Sequence, residues 1–172
     1  MNLFKKNNHI RYLVITFFFV SFICLFLPKN AFGTENCKHY TTIVLENRFD
    51  ESQRLIVQAE VADEPDERAL GLMNRKKIAK NKGMLFVYNN PSAPQFWMKN
   101  TFIPLDVLFL NKGGKILGYK ENNKPHSLKG ISIGKKSFYV LEMNGGWVRE
   151  NKVKVGDKIK IRNSRTRKKR GG

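Results

Sequence analysis

Two carboxylates occupy places where strand periodicity asks for hydrophobes. Along residues 105–110 (LDVLFL), strict alternation puts Leu105, Val107 and Phe109 on one face and leaves Asp106 on the other with Leu108 and Leu110. The same reading of residues 138–143 sets Glu142 beside Phe138 and Val140. An ionised carboxylate among apolar neighbours is costly, so each acid is expected to meet a cation, accept hydrogen bonds from backbone amides, or line a cleft. The cations within reach of this argument are Lys99, Arg68 and Arg75. Lys99 shares its strand face with Trp97 and Thr101, and Asn100 lies between them.

Three kinds of chemistry follow from that set. A polar, glycan-like ligand could stack on Trp97 and be held by Lys99, Asn100 and Asp106. A pair of carboxylates, Asp106 and Glu142, could hydrolyse an envelope glycan as glycosidases do. Alternatively both acids cap turns or neutralise arginines inside a β domain, and Trp97 is core. Met73, Met84, Met98 and Met143 raise a Cu(I) reading, since thioethers bind that ion, but each also fits a simple core position. His39 and His126 form no ligand pair at metal spacing, and no metal or other cofactor is expected. The chain has no Gly-x-Ser-x-Gly elbow, Walker loop, dinucleotide fingerprint or His-Glu-x-x-His helix. His126 and Ser127 are only chain neighbours.

The segments that carry these residues are residues 96–110 (FWMKNTFIPLDVLFL), Gly71-Leu72-Met73, Gly83-Met84-Leu85-Phe86, Leu141-Glu142 and Gly156-Asp157. Together they closely resemble the family catalogued as domain of unknown function 192. The resemblance spans roughly residues 55–161 and implies a mainly-β sandwich. It implies no particular reaction.

The elements that must position the site read independently as mainly β, a sandwich or barrel with one short helix. Strands are expected at 41–46, 55–61, 84–88, 96–99, 105–110, 115–120, 137–143 and 158–161. Asn89-Asn90-Pro91, residues 111–114 (NKGG), Asn144-Gly145-Gly146 and Gly156-Asp157 supply turn chemistry between them. The helix follows Asp63 as N-cap, with Pro65 in its first turn and Glu64, Asp66 and Glu67 at the positive end of its dipole. Short strands at this spacing argue against alternating β-α units.

The ends of the chain suggest a compartment. Lys5, Lys6 and Arg11 precede an apolar run at 12–27, and Ala31-Phe32-Gly33 forms a small-x-small cleavage site, the three-part pattern of an export signal. Residues 1–33 are therefore read as a signal peptide, residues 34–161 as one β domain and residues 162–172 as a basic tail. Export to the periplasm or beyond is expected, with an uncleaved inner-membrane anchor as the alternative. Cleavage would remove four bases and no acid, lowering the formal charge from +18 to +14. It would leave Cys37 as the one cysteine, which allows no intramolecular disulfide.

The tail RNSRTRKKR holds six bases, no acid and no apolar residue, and such a composition does not fold by itself. It could direct the protein to an anionic polymer or membrane surface, or be solvated without a dedicated partner. With no aromatic side chain in it to stack on bases, specific nucleic-acid binding is not expected.

Overall fold

The computed structural model describes residues 39–46 and 54–162. The expected signal peptide, Cys37 and residues 163–172 of the tail lie outside them. Along the described residues run β1 (His39–Glu46), β2 (Arg54–Ala62), α1 (Pro65–Leu70), β3 (Lys82–Ser92), β4 (Leu105–Leu110), β5 (Ile116–Asn123), β6 (Ser137–Asn144), α2 (Trp147–Glu150) and β7 (Ile159–Arg162). The strands form one curled sheet in the order β5-β4-β6-β3-β2-β1-β7, so the fold is mainly β. No helix among the described residues is long and apolar enough to cross a membrane.

The curl brings the two edges of the sheet together at one end. Lys115 bridges Lys158, Ile116 N–H donates to the Asp157 carbonyl at 2.9 Å, and Ile159 N–H donates to the Gly114 carbonyl at 2.9 Å. Gly114 makes this junction possible: its φ is +79°, and a Cβ there would lie 2.0 Å from the Ile159 carbonyl oxygen. The result is the barrel-like member of the two architectures expected, partly closed, and not two facing sheets.

Every neighbouring pair is antiparallel except β2 and β3. Parallel partners need a crossover, and α1 with the strap at 71–81 supplies it. This is one β-α-β unit inside a sheet whose sequence pattern argues against such units. The N-cap of α1 is Glu64, one residue later than expected. Pro65 fixes the first helical φ and holds the preceding residue extended, and Glu67 Oε2 accepts from the Glu64 and Asp63 amides at 3.2 Å.

Both faces of the sheet are covered. Ile43, Val57, Ala59, Leu85, Leu108, Leu110, Leu141 and Met143 meet on the inner face, with Trp147 and Val148 of α2 among them. Met84, Phe86, Val107, Phe109 and Val140 form an outer cluster beneath Leu72, Met98 and Ile131. β4 is buried along all six residues as a consequence. Residues 96–99 do not form the expected strand. Phe96 bridges Ile131, Met98 N–H donates to the Ser127 carbonyl, and Asn100 at φ 53° then turns the chain away. Met84 and Met98 lie in the outer cluster and Met143 on the inner face, so Met143 is separated by the sheet from the other two and the four methionines do not form one set. Arg162, read from sequence as tail, is the last residue of β7 and pairs with Thr42.

Candidate functional site

Asp106 stands on the inner face with Leu108 and Leu110, fully buried. Its partners are backbone amides. Oδ1 accepts from Asn122 N–H at 2.7 Å and Gly146 N–H at 3.0 Å, and Oδ2 accepts from Val148 N–H at 2.8 Å. Three charge-assisted bonds tie β4 to the end of β5 and to the start of α2. Neither Lys99 nor an arginine bonds it. The residue is a fold clamp and presents no oxygen to a ligand, which corrects its expected place in the binding set.

Glu142 lies on the opposite side. It pairs with Met84 of β3 and Val107 of β4, while Asp106 pairs with Met143. Paired residues share a face, so the sheet itself separates the two carboxylates. With the sheet between them, Asp106 and Glu142 do not form the carboxylate pair expected for glycan hydrolysis.

The outer row that contains Glu142 is unusual in composition. Reading across in register it runs Tyr40, Glu60, Met84, Glu142 and Val107. Arg75, from the 71–81 strap, reaches Glu60 with two bonds of 2.5 and 2.7 Å. Glu142 receives no such bond: its Oε2 is buried without a hydrogen-bond partner. Burial pushes its carboxyl from 4.5 up to about 8, against a smaller opposing pull from Arg75. It is therefore largely neutral at pH 7. Gly71 lets the strap lie this close, since at φ +51° a Cβ would sit 3.3 Å from the Phe86 ring and 3.9 Å from Glu142 Oε2.

Arg68 is occupied elsewhere. Its Nη1 donates to the carbonyls of Asp63 and Val87, and its guanidinium stands 5.4 Å from the Tyr88 ring centroid. Burial raises the Tyr88 hydroxyl pKa, and Arg68 opposes that rise. Arg68 thus fixes α1 to β3 and touches neither acid of the expected pocket.

The remaining candidates share a surface over the outer cluster. In the extended stretch before Asn100, Phe96 and Met98 turn inward, so Trp97 and Lys99 turn outward. Trp97 is 52% exposed, and Lys99 Nζ stands 5.5 Å from its ring centroid. Phe102 is 49% exposed and meets His126 edge to face at 4.8 Å. Backbone bonds pin this second, outer strap at 96–102: Phe96 to Ile131 in both directions, His126 N–H to the Thr101 carbonyl, and Asn74 N–H to the Asn100 carbonyl. Trp97 is thus surface and not core. Thr101, expected beside Lys99, is buried because the positive φ at Asn100 breaks the alternation.

The structure therefore brings together Trp97, Lys99 and Asn100, and sets Asp106, Glu142 and Arg68 apart from them. Sequence reasoning missed Phe102 and His126 as members of the surface. The available signal was an aromatic residue directly after the Asn100 turn. Among the described residues, no group of three or more His, Cys, Asp or Glu side chains could hold a metal ion.

The family model DUF192, described as an uncharacterized ACR, matches residues 46–161. A crystal structure solved for a candidate transcription regulator of Sinorhizobium meliloti 1021 is similar at TM-score 0.70 and 34% identity, covering 74% of this chain and 97% of that one. A protein of unknown function from Novosphingobium aromaticivorans DSM 12444 is similar at TM-score 0.68 and 29% identity, covering 74% of this chain and 89% of that one. No curated protein matches. The match over most of the chain, together with the shared fold, makes this protein a member of the DUF192 family.

Proposed function

We propose that the chain is an exported binding or accessory module that takes a polar, glycan-like ligand on the surface formed by Trp97, Lys99, Asn100 and Phe102. One observation carries the reading: two aromatic rings, each about half exposed, project from a strap held by backbone hydrogen bonds at both ends. Exposed rings grouped on a fixed scaffold are the usual mark of a recognition surface. A sugar offers an apolar C–H face to an indole and hydroxyls to its rim, where Lys99 and the Asn100 amide can donate. The export half of the reading rests on the amino-terminal pattern of bases, apolar run and Ala31-Phe32-Gly33. Binding is favoured over hydrolysis because Asp106 is fully engaged and Glu142 lies on the other face of the sheet.

The experiment is calorimetric titration of the signal-free protein with a panel of muropeptides and chito-oligosaccharides. A saturable signal that Trp97→Ala removes, with its melting temperature kept, supports the reading. Binding that survives Trp97→Ala, or no binding across the panel, rejects it.

A further inference from the structure

The apolar surface does not stop at Trp97 and Phe102. Backbone bonds join the outer strap to residues 126–131: Met98 N–H donates to the Ser127 carbonyl at 2.9 Å, His126 N–H donates to the Thr101 carbonyl at 3.2 Å, and Phe96 and Ile131 exchange two bonds. The turn in this segment is fixed, with His126 at φ 60° and Ser127 Oγ accepting from Lys129 N–H at 3.2 Å. On it stands Leu128, 70% exposed, the most exposed large apolar side chain among the described residues. Lys124 and Lys129 flank it in the chain, and both are exposed. The charge here has one sign. Residues 91–105 and 122–141 contain no Asp or Glu, and neither does the 71–81 strap that meets Asn100. Asp106 and Glu142 are buried, and the nearest exposed acid in the chain is Glu121, near the end of β5. No ion pair among the described residues engages Lys99, Lys124 or Lys129.

We propose that this corner, with Leu128 at its tip and Phe102 and Trp97 on the adjoining strap, docks on the anionic head-group layer of a lipid bilayer. Leu128 calls for a partner of its own, because it has neither a ring face nor a hydrogen-bonding atom to offer a sugar. Projecting apolar side chains rimmed by lysines match such an interface, where apolar tips enter the acyl boundary while ammonium groups stay among the phosphates. Trp is favoured at that depth. A folded protein partner would need a recess for each projecting side chain together with an acidic rim. A fluid interface closes around them without any prior shape. The proposal goes beyond the glycan reading and does not rest on it, although the two share Trp97 and Phe102.

The test is cosedimentation of the signal-free protein with vesicles of phosphatidylglycerol mixed with phosphatidylethanolamine, and with neutral phosphatidylcholine vesicles. The amino-terminal run is left out because it is apolar enough to enter lipid by itself, and the described fold lies wholly within residues 39–162. Anionic vesicles should bind the protein and neutral ones should not. Leu128→Ser should weaken binding roughly fivefold or more with the melting temperature kept, and Leu128→Trp should tighten it, a gain that lost folding does not explain. Lys124→Gln with Lys129→Gln should weaken it roughly tenfold. The control, Lys112→Gln with Lys158→Gln, removes two exposed lysines beyond the other end of β5 and should change binding by less than about threefold. Equal losses in the two lysine pairs would overturn the proposal in favour of net charge alone. Vesicle binding that Leu128→Ser leaves unchanged, or equal binding to neutral vesicles, would overturn it as well. Leu128→Ser should leave any glycan titration signal as it is. Vesicle binding with a silent glycan panel therefore upholds this proposal alone, and a glycan signal without vesicle binding overturns it alone.

Discussion

Val107 and Glu142 face each other across β4 and β6, which places Asp106, one residue back on β4, on the far side of the sheet from Glu142. The two acids therefore have separate tasks. One is satisfied by three amides, and the other keeps an unbonded oxygen under a glycine strap.

Asp106→Ala should destabilise the fold by roughly 3–5 kcal/mol, because three buried or half-buried amides lose their acceptor at once. Asp106→Asn should cost less, since its one remaining carbonyl can keep the Asn122 and Gly146 bonds while its amide opposes Val148 N–H. Urea unfolding of both variants checks the order. A melting point near wild type for the alanine variant would show that the clamp contributes nothing.

Glu142 sets a pH dependence with a definite sign. Its folded value, about 8, lies above its ordinary 4.5, so between these limits the native state holds a proton that the unfolded chain has lost. The stability this group contributes is complete below pH 4.5 and is lost as pH rises toward 8, at up to roughly 1.4 kcal/mol per pH unit. Glu142→Gln, which imitates the neutral acid, should flatten that slope and match or exceed wild type at pH 8. Denaturation midpoints at pH 5, 6.5, 8 and 9 decide it. An unchanged slope in the variant would place the titration elsewhere.

Gly71→Ala should cost about 1–3 kcal/mol, since φ +51° with ψ −136° is a region that side chains resist and the new methyl would press on Phe86. Amide exchange should speed up in the 71–81 strap more than in β4. Uniform protection would mean that the strap does not depend on Gly71.

Much of this is legible in the sequence. Period-2 alternation places Asp106 with Leu108 and Leu110, and β4 has the expected bounds, because a strand buried on both faces shows its whole length as apolar sequence. Alternation within a strand says nothing about which face an adjacent strand shares with it. That depends on the Val107–Glu142 register, a non-local property, and so the two acids could be read as one site. The parallel β2–β3 pair was hidden for the same reason. Helix α2 was hidden because Asn144-Gly145-Gly146 reads as a turn, and only the distant Asp106 holds its first amides. Aromatic residues in strands are commonly buried, so the sequence allows Trp97 a core position, whereas Phe96 and Met98 take the inward positions.

Truncation after Arg162 should leave the melting temperature within about 1 °C, since residues 163–170 contain no apolar side chain that could add to the core. Removing Arg162 as well should lower it further. That cut deletes the carbonyl that accepts from Thr41 Oγ1 at 2.8 Å and the last pair of β7 with β1. A large loss from the shorter truncation would show that the tail docks.

The most direct measurement is the pair of indole N–H resonances in the NMR spectrum of the signal-free protein during titration with glycan fragments. Trp97 is half exposed beside Lys99, whereas Trp147 is buried on the inner face with its Nε1 enclosed, so each reports a different side of the sheet. A ligand held by the outer strap should shift the Trp97 signal in a saturable way and leave Trp147 in place. Movement of Trp147 with Trp97 unmoved, or two static signals across the panel, would contradict a binding surface at Trp97.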